Sequence, residues 1–194
     1  VRRPFFAFSP ARALGVAALA LFTAACSASG PGPAGPAKTL GLPVWQGPER
    51  ELFGDEIDPA ALGILPPKPP RKDQTLWARS QRAEIVGRVR VQTVTVDSRL
   101  GQATYHLGLQ FANPLLAESK LEDRTFEVTI EAGDPSYGLV KAQDTALQGK
   151  TFVGFVRRYA GQDDEIVNHF YLAPDSADVA AVVQEAVAVQ EVSR

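Results

Sequence analysis

Among 194 residues there is a single cysteine, Cys26. No intrachain disulfide can form, and no cysteine-based zinc site can be assembled. Histidine is almost as scarce, with only His106 and His169. No Gly-x-Ser-x-Gly elbow is present, and no glycine-rich loop of the kind that cradles phosphate. Nor is there an apolar run of the ~20 residues that a membrane-spanning helix needs. Positive charge is not in excess: the net charge is −2, and without residues 1–25, which hold Arg2, Arg3 and Arg12 and no acid, it becomes −5. That balance argues against nucleic acid as a partner and against polybasic adhesion to anionic lipid.

What is present falls into distinct stretches. The first residue is Val, which reads as a bacterial alternative start translated literally. Three arginines precede an apolar core of ten residues, Ala13 to Phe22, and Thr23-Ala24-Ala25-Cys26 follows. A positive head, a short apolar core and small residues make a signal peptide over 1–25. Thr23 to Cys26 resembles the lipobox of bacterial lipoproteins, although Thr23 stands where Leu, Val or Ile is usual. The resemblance implies acylation of Cys26 and cleavage before it. With Ser27 next in the chain, it also implies sorting to the outer membrane of the cell envelope.

Residues 26–38 are, after Cys26, Gly, Pro, Ser and Ala with one Lys, and read as a flexible tether. Residues 39–72 read as an extended arm ending in the spacer Pro66-Pro67-Lys68-Pro69-Pro70. Within the arm, Asp58-Pro59-Ala60-Ala61-Leu62-Gly63 carries the marks of one helical turn. The segment 40–64 either lies over its own domain, burying Trp45 and Phe53, or binds an envelope partner. Asp55, Glu56 and Asp58 lack the spacing of a calcium loop.

The folded domain is placed at 73–194. Asp73 caps a short helix to Arg82. Ala83 to Asp97 is a long strand whose apolar phase slips by one near Gln92 or Thr93, which predicts a bulge. Further strands are expected over 104–111, 125–131, 150–159 and 166–172. Leu139 to Leu147 is read as helix in preference to strand. A terminal helix capped by Asp175 or Ser176 follows, with an apolar stripe of Val179, Val182, Val183, Ala186 and Val187. The order resembles the OB-fold, which implies a mainly β (α+β) domain. Its expected form is a small five-stranded Greek-key barrel with an N-terminal and a C-terminal helix. A small β-sandwich is the alternative.

Chemistry is sparse. His106, His169, Arg157 and Tyr159 are the candidate binding residues, and no catalytic residue, metal or cofactor is expected. The two histidines with Asp164 or Glu165 would make a minimal metal site, but nothing supplies a further ligand. Arg157 and Arg158 against Asp163, Asp164 and Glu165 read as charge pairing across a hairpin. The expectation is a lipid-anchored envelope protein, non-enzymatic, structural or partner-binding. The alternative is a periplasmic small-ligand or glycan-binding module.

Overall fold

The long strand predicted from 83 is the centre of the sheet, because its two halves pair with different neighbours. In the computed structural model, which describes residues 41–99, 101–112, 124–162 and 165–192, it runs Ile85–Arg99 (β2). The chain divides into a unit Val1–Gly35 and a unit Pro36–Arg194, and the described residues belong to the second. The signal peptide, Cys26 and the 26–38 tether lie outside the described residues.

β2 pairs with Thr151–Ala160 (β5) through Ile85 to Arg90 and with Gln102–Phe111 (β3) through Val89 to Arg99. The register slips between Val91 and Thr93, where the change of apolar phase predicts a bulge. The slip keeps Val94 on the same core as Val89 and Val91 while the strand bends. β3 continues to Thr125–Ile130 (β4), and β5 pairs with Ile166–Pro174 (β6). A two-residue strand from the arm, Glu56–Ile57 (β1), runs parallel to β6 at Tyr171 and Leu172. The sheet order is β1-β6-β5-β2-β3-β4.

This corrects the expected five-stranded OB-type barrel, and the sandwich with it. The sheet is six-stranded, mixed and open; it curls through 185° and leaves its edges 9 Å apart. Barrel strands and curled-sheet strands alternate identically in sequence, so closure is invisible there. The helix inventory is also corrected. The described residues hold four helices where the barrel form expects two: Pro48–Leu52 (α1), Gln74–Arg82 (α2), Tyr137–Leu147 (α3), which is the helix read over 139–147, and Ala177–Val192 (α4).

Two cores lie on opposite faces of the sheet. The first draws on all five long strands, with Val89, Leu107, Val128, Phe152 and Phe170, and on Val140 and Leu147 of α3. A cluster shared by every long strand lies inside the curl. The second core sets Val153, Phe155, Tyr159 and Tyr171 against Leu76 of α2 and Val179, Val182 and Val183 of α4. β5 is therefore buried on both faces from Phe152 to Val156, as its unbroken apolar run requires.

Local signals are met where they are described. Oδ1 of Asp73 accepts the N–H groups of Thr75 and Leu76. Asp58 caps a 3₁₀ turn, Pro59–Leu62, that ends on Gly63 in the left-handed region. Ser176 receives the N–H of Val179 at the start of α4, while Asp175 pairs instead with Arg88 at 2.9 Å.

Candidate functional site

The arm and the strand ends of the second face meet around His169. Odd-numbered residues of β5 and β6 face the second core, so Arg157, Tyr159 and His169 share that face. The Tyr159 and His169 rings are 5.4 Å apart, and the Arg157 guanidinium lies 5.7 Å from the Tyr159 ring. Three of the four predicted binding residues are thus brought together. His106 is not among them: it lies on β3, with Nδ1 3.1 Å from Glu127 and Nε2 3.6 Å from Asp97.

The arm supplies residues that complete this cluster. Trp45 stacks on the imidazole of His169 at 3.6 Å with the ring planes nearly parallel, and its indole N–H donates to the Phe53 carbonyl. Phe53 is fully buried, and Trp45 half-buried. Nδ1 of His169 donates to Oδ2 of Asp55 at 2.6 Å, and Oδ1 of Asp55 accepts the N–H of Phe170. Asp55 adopts φ +53°, left-handed backbone that a short polar side chain tolerates best. Burial raises the Asp55 carboxyl above its ordinary value, an effect that Asp134 adds to and the bonds from His169 and Phe170 oppose.

Glu49 is the second anchor of the arm. Its carboxylate accepts the Tyr159 hydroxyl at 2.6 Å, Arg157 at 3.2 Å and Arg82 at 2.8 Å. Burial alone would raise it, but these three donors hold it below the ordinary carboxylate value. Burial and the Glu49 charge together push the Tyr159 hydroxyl well up, so it stays protonated and donating. Arg158 pairs with Glu84 at 2.6 Å. The arginines therefore find acids from α1 and the start of β2. Their pairing with Glu165 across the hairpin is corrected, because the register sets Arg157 opposite His169 and Arg158 opposite Asn168. Asp163 and Asp164 lie outside the described residues.

Beside this cluster the open seam of the sheet forms a cleft of about 370 Å³. β4 lines one wall and the Glu165 to His169 stretch the other, with Trp45 and Asp55 at one end. The seam carries Asp55, Glu127, Glu131, Asp134 and Glu165, and no Lys or Arg lines it among the described residues. Asp134 is committed to its own turn, accepting the Glu131 N–H at 2.7 Å. No group of His, Cys, Asp or Glu among the described residues is arranged to hold a metal ion. No described helix is long and apolar enough to cross a membrane.

Asp55 and Glu49 are the members of this cluster that the motif search does not single out. Their sequence signals are faint: an acid after Gly54, and an acid beside Pro48. Each acquires its role only from partners more than a hundred residues away.

No family model matches the chain, and neither a curated protein nor a solved structure does. The reading of the chain as a bacterial outer-membrane lipoprotein with an OB-type domain is corrected accordingly. The barrel is open, and no comparison places residues 1–26 in a family.

Proposed function

We propose that this chain is a non-enzymatic interaction component of a cell envelope, which docks a partner at the open seam of its sheet. The observation that carries the reading is that the sheet stays open with its edges 9 Å apart, and that no strand among the described residues pairs with the outer side of β4. Exposed strand edges are templates for another chain, and addition of an extended segment at such an edge is a recurrent mode of peptide recognition. Contact of the 40–64 arm with the partner belongs to the same proposal.

The test is a photo-crosslinking residue at Thr129, on the seam, compared with one at Gln184, on the exposed side of α4, each in the full chain in native membranes. One discrete adduct from Thr129 and none from Gln184 is expected. No adduct, or the same adducts from both, overturns the docking role.

A second observation favours small-ligand binding. A cavity of about 370 Å³ lies beneath the proline spacer, with Leu76, Tyr171 and Val179 on its apolar side and Asp58 and Lys68 at its rim. A rise in melting temperature with a sugar or peptidoglycan fragment, lost in Lys68→Ala, would support that reading over docking.

A further inference from the structure

We infer that the seam accepts a single extended segment of a partner protein, antiparallel to both β4 and β6, with basic and apolar side chains in alternation. This rests on the docking role proposed above and names the partner's chemistry.

Width comes first. Neighbouring strands lie about 4.8 Å apart, so a gap one strand wide measures about 9.6 Å between its walls. The edge strands of the sheet, β1 and β4, stand 9 Å apart, and beyond the two residues of β1 it is β6 that faces β4 across the cleft. Direction agrees. From β6 through β5, β2 and β3 to β4 every pairing is antiparallel, so β4 and β6 run the same way. One strand antiparallel to both bridges them; two would not.

The backbone groups are free to receive it. Among the described residues no strand pairs with the outer side of β4, nor with β6 from Ile166 to Phe170. Phe170 turns its N–H to Asp55, and Leu172 its carbonyl to Asp58, so even-numbered residues of β6 address the seam. Ile166 and Asn168 therefore present N–H and C=O toward it. On β4, Phe111 bonds to the Arg124 carbonyl and the register continues in pairs, so Thr125, Glu127 and Thr129 do the same. Asp55 closes one end of the seam by holding the Phe170 N–H, which sets where a guest strand must stop.

The side chains define the alternation. Phe126, Val128 and Ile166 stand on the side of the first core, and Ile166 is 39% exposed there. Glu127 stands on the opposite side, by the parity of β4, and Glu131 and Glu165 line the same cleft one residue beyond the strand ends. A strand sends successive side chains to opposite faces. One laid in the seam therefore puts every second residue against apolar walls and the others among carboxylates in a cleft that no Lys or Arg lines among the described residues, with Glu127 also in contact with the His106 ring. Lys or Arg at those positions meets opposite charge across the strand.

The probe is a peptide of alternating Lys and Val, titrated into the full chain and followed by Trp45 fluorescence in a Trp77→Phe background. Its comparators are the block isomer of equal composition, an alternating Glu-Val peptide, and the Lys-Val peptide N-methylated at alternate amides. Saturable binding by the Lys-Val peptide is expected, at least about tenfold tighter than by each comparator. It should weaken with salt and about tenfold in Glu127→Gln/Glu165→Gln. Equal affinity for the block isomer, no loss on N-methylation, or no saturable binding overturns the inference. A Thr129 adduct in membranes together with failure of the peptide leaves docking standing and removes the basic strand; absence of the adduct removes docking itself.

Discussion

Asp55 reaches across 114 residues of sequence to hold His169 with one carboxylate oxygen, and with the other it occupies the N–H of Phe170, the next residue of the same strand. One side chain from the arm thereby orients the imidazole on which Trp45 stacks and caps the edge of β6 where the seam begins.

Removing that carboxylate should separate two effects. Asp55→Ala leaves a buried N–H and a buried ring nitrogen without acceptors, at about 1–3 kcal/mol each. Asp55→Asn keeps an acceptor for Phe170 and tolerates the left-handed backbone, so its cost should be less than half as large. Chemical denaturation of both variants at neutral pH checks the ratio.

Glu49 makes the arm's attachment pH-dependent. Its folded carboxyl titrates below the ordinary value of 4.5, so its contribution to stability is present above that value and is lost as pH falls through the lower folded one. Glu49→Gln should cost about 2 kcal/mol at neutral pH. The gap between variant and parent should shrink below pH 4.5 and close in stronger acid. Denaturation midpoints measured across the acid range give the curve.

Gly154 has no room for a side chain. A Cβ there would meet Cγ1 of Val89 at 2.8 Å and Cδ2 of Leu172 at 3.4 Å, inside the first core. Gly154→Ala should destabilise by about 1–3 kcal/mol through overpacking. Pairing it with Val89→Ala should return part of that loss, which a double-mutant cycle resolves.

Ser136, buried at the start of α3, accepts the N–H of Ile57 at 2.6 Å and so fastens β1 to the opposite part of the fold. Ser136→Ala should cost about 1–3 kcal/mol. It should also raise hydrogen exchange at Ile57 and Asp58 more than in the centre of β5. Uniform exchange across the sheet would show that β1 is not held separately.

Local structure was legible wherever the cause is local. The alternation of β2, its slip before Thr93, the Asp73 cap and the doubly buried β5 each follow from side chains a few residues apart. Glu56–Ile57 was not legible as a strand, because two residues carry no periodicity and pair only through β6. α1 was missed for the same reason: its five residues are held from outside, with Arg79 giving its Nε–H to the Leu52 carbonyl and its guanidinium stacked over Tyr171. Of the candidate site, His169, Arg157 and Tyr159 could be named from sequence, but not the acids that bind them.

The sequence by itself determined most strand and helix spans from Gln74 onward, the double burial of β5 and the exclusion of an intrachain disulfide, since these depend on residue type and short-range spacing. Only the tertiary structure decided that the sheet stays open, that the arm joins it, and that Asp55 and Glu49 meet His169, Arg157 and Tyr159. Those outcomes depend on curvature accumulated over six strands and on contacts between residues more than a hundred positions apart, for which local alternation carries no record.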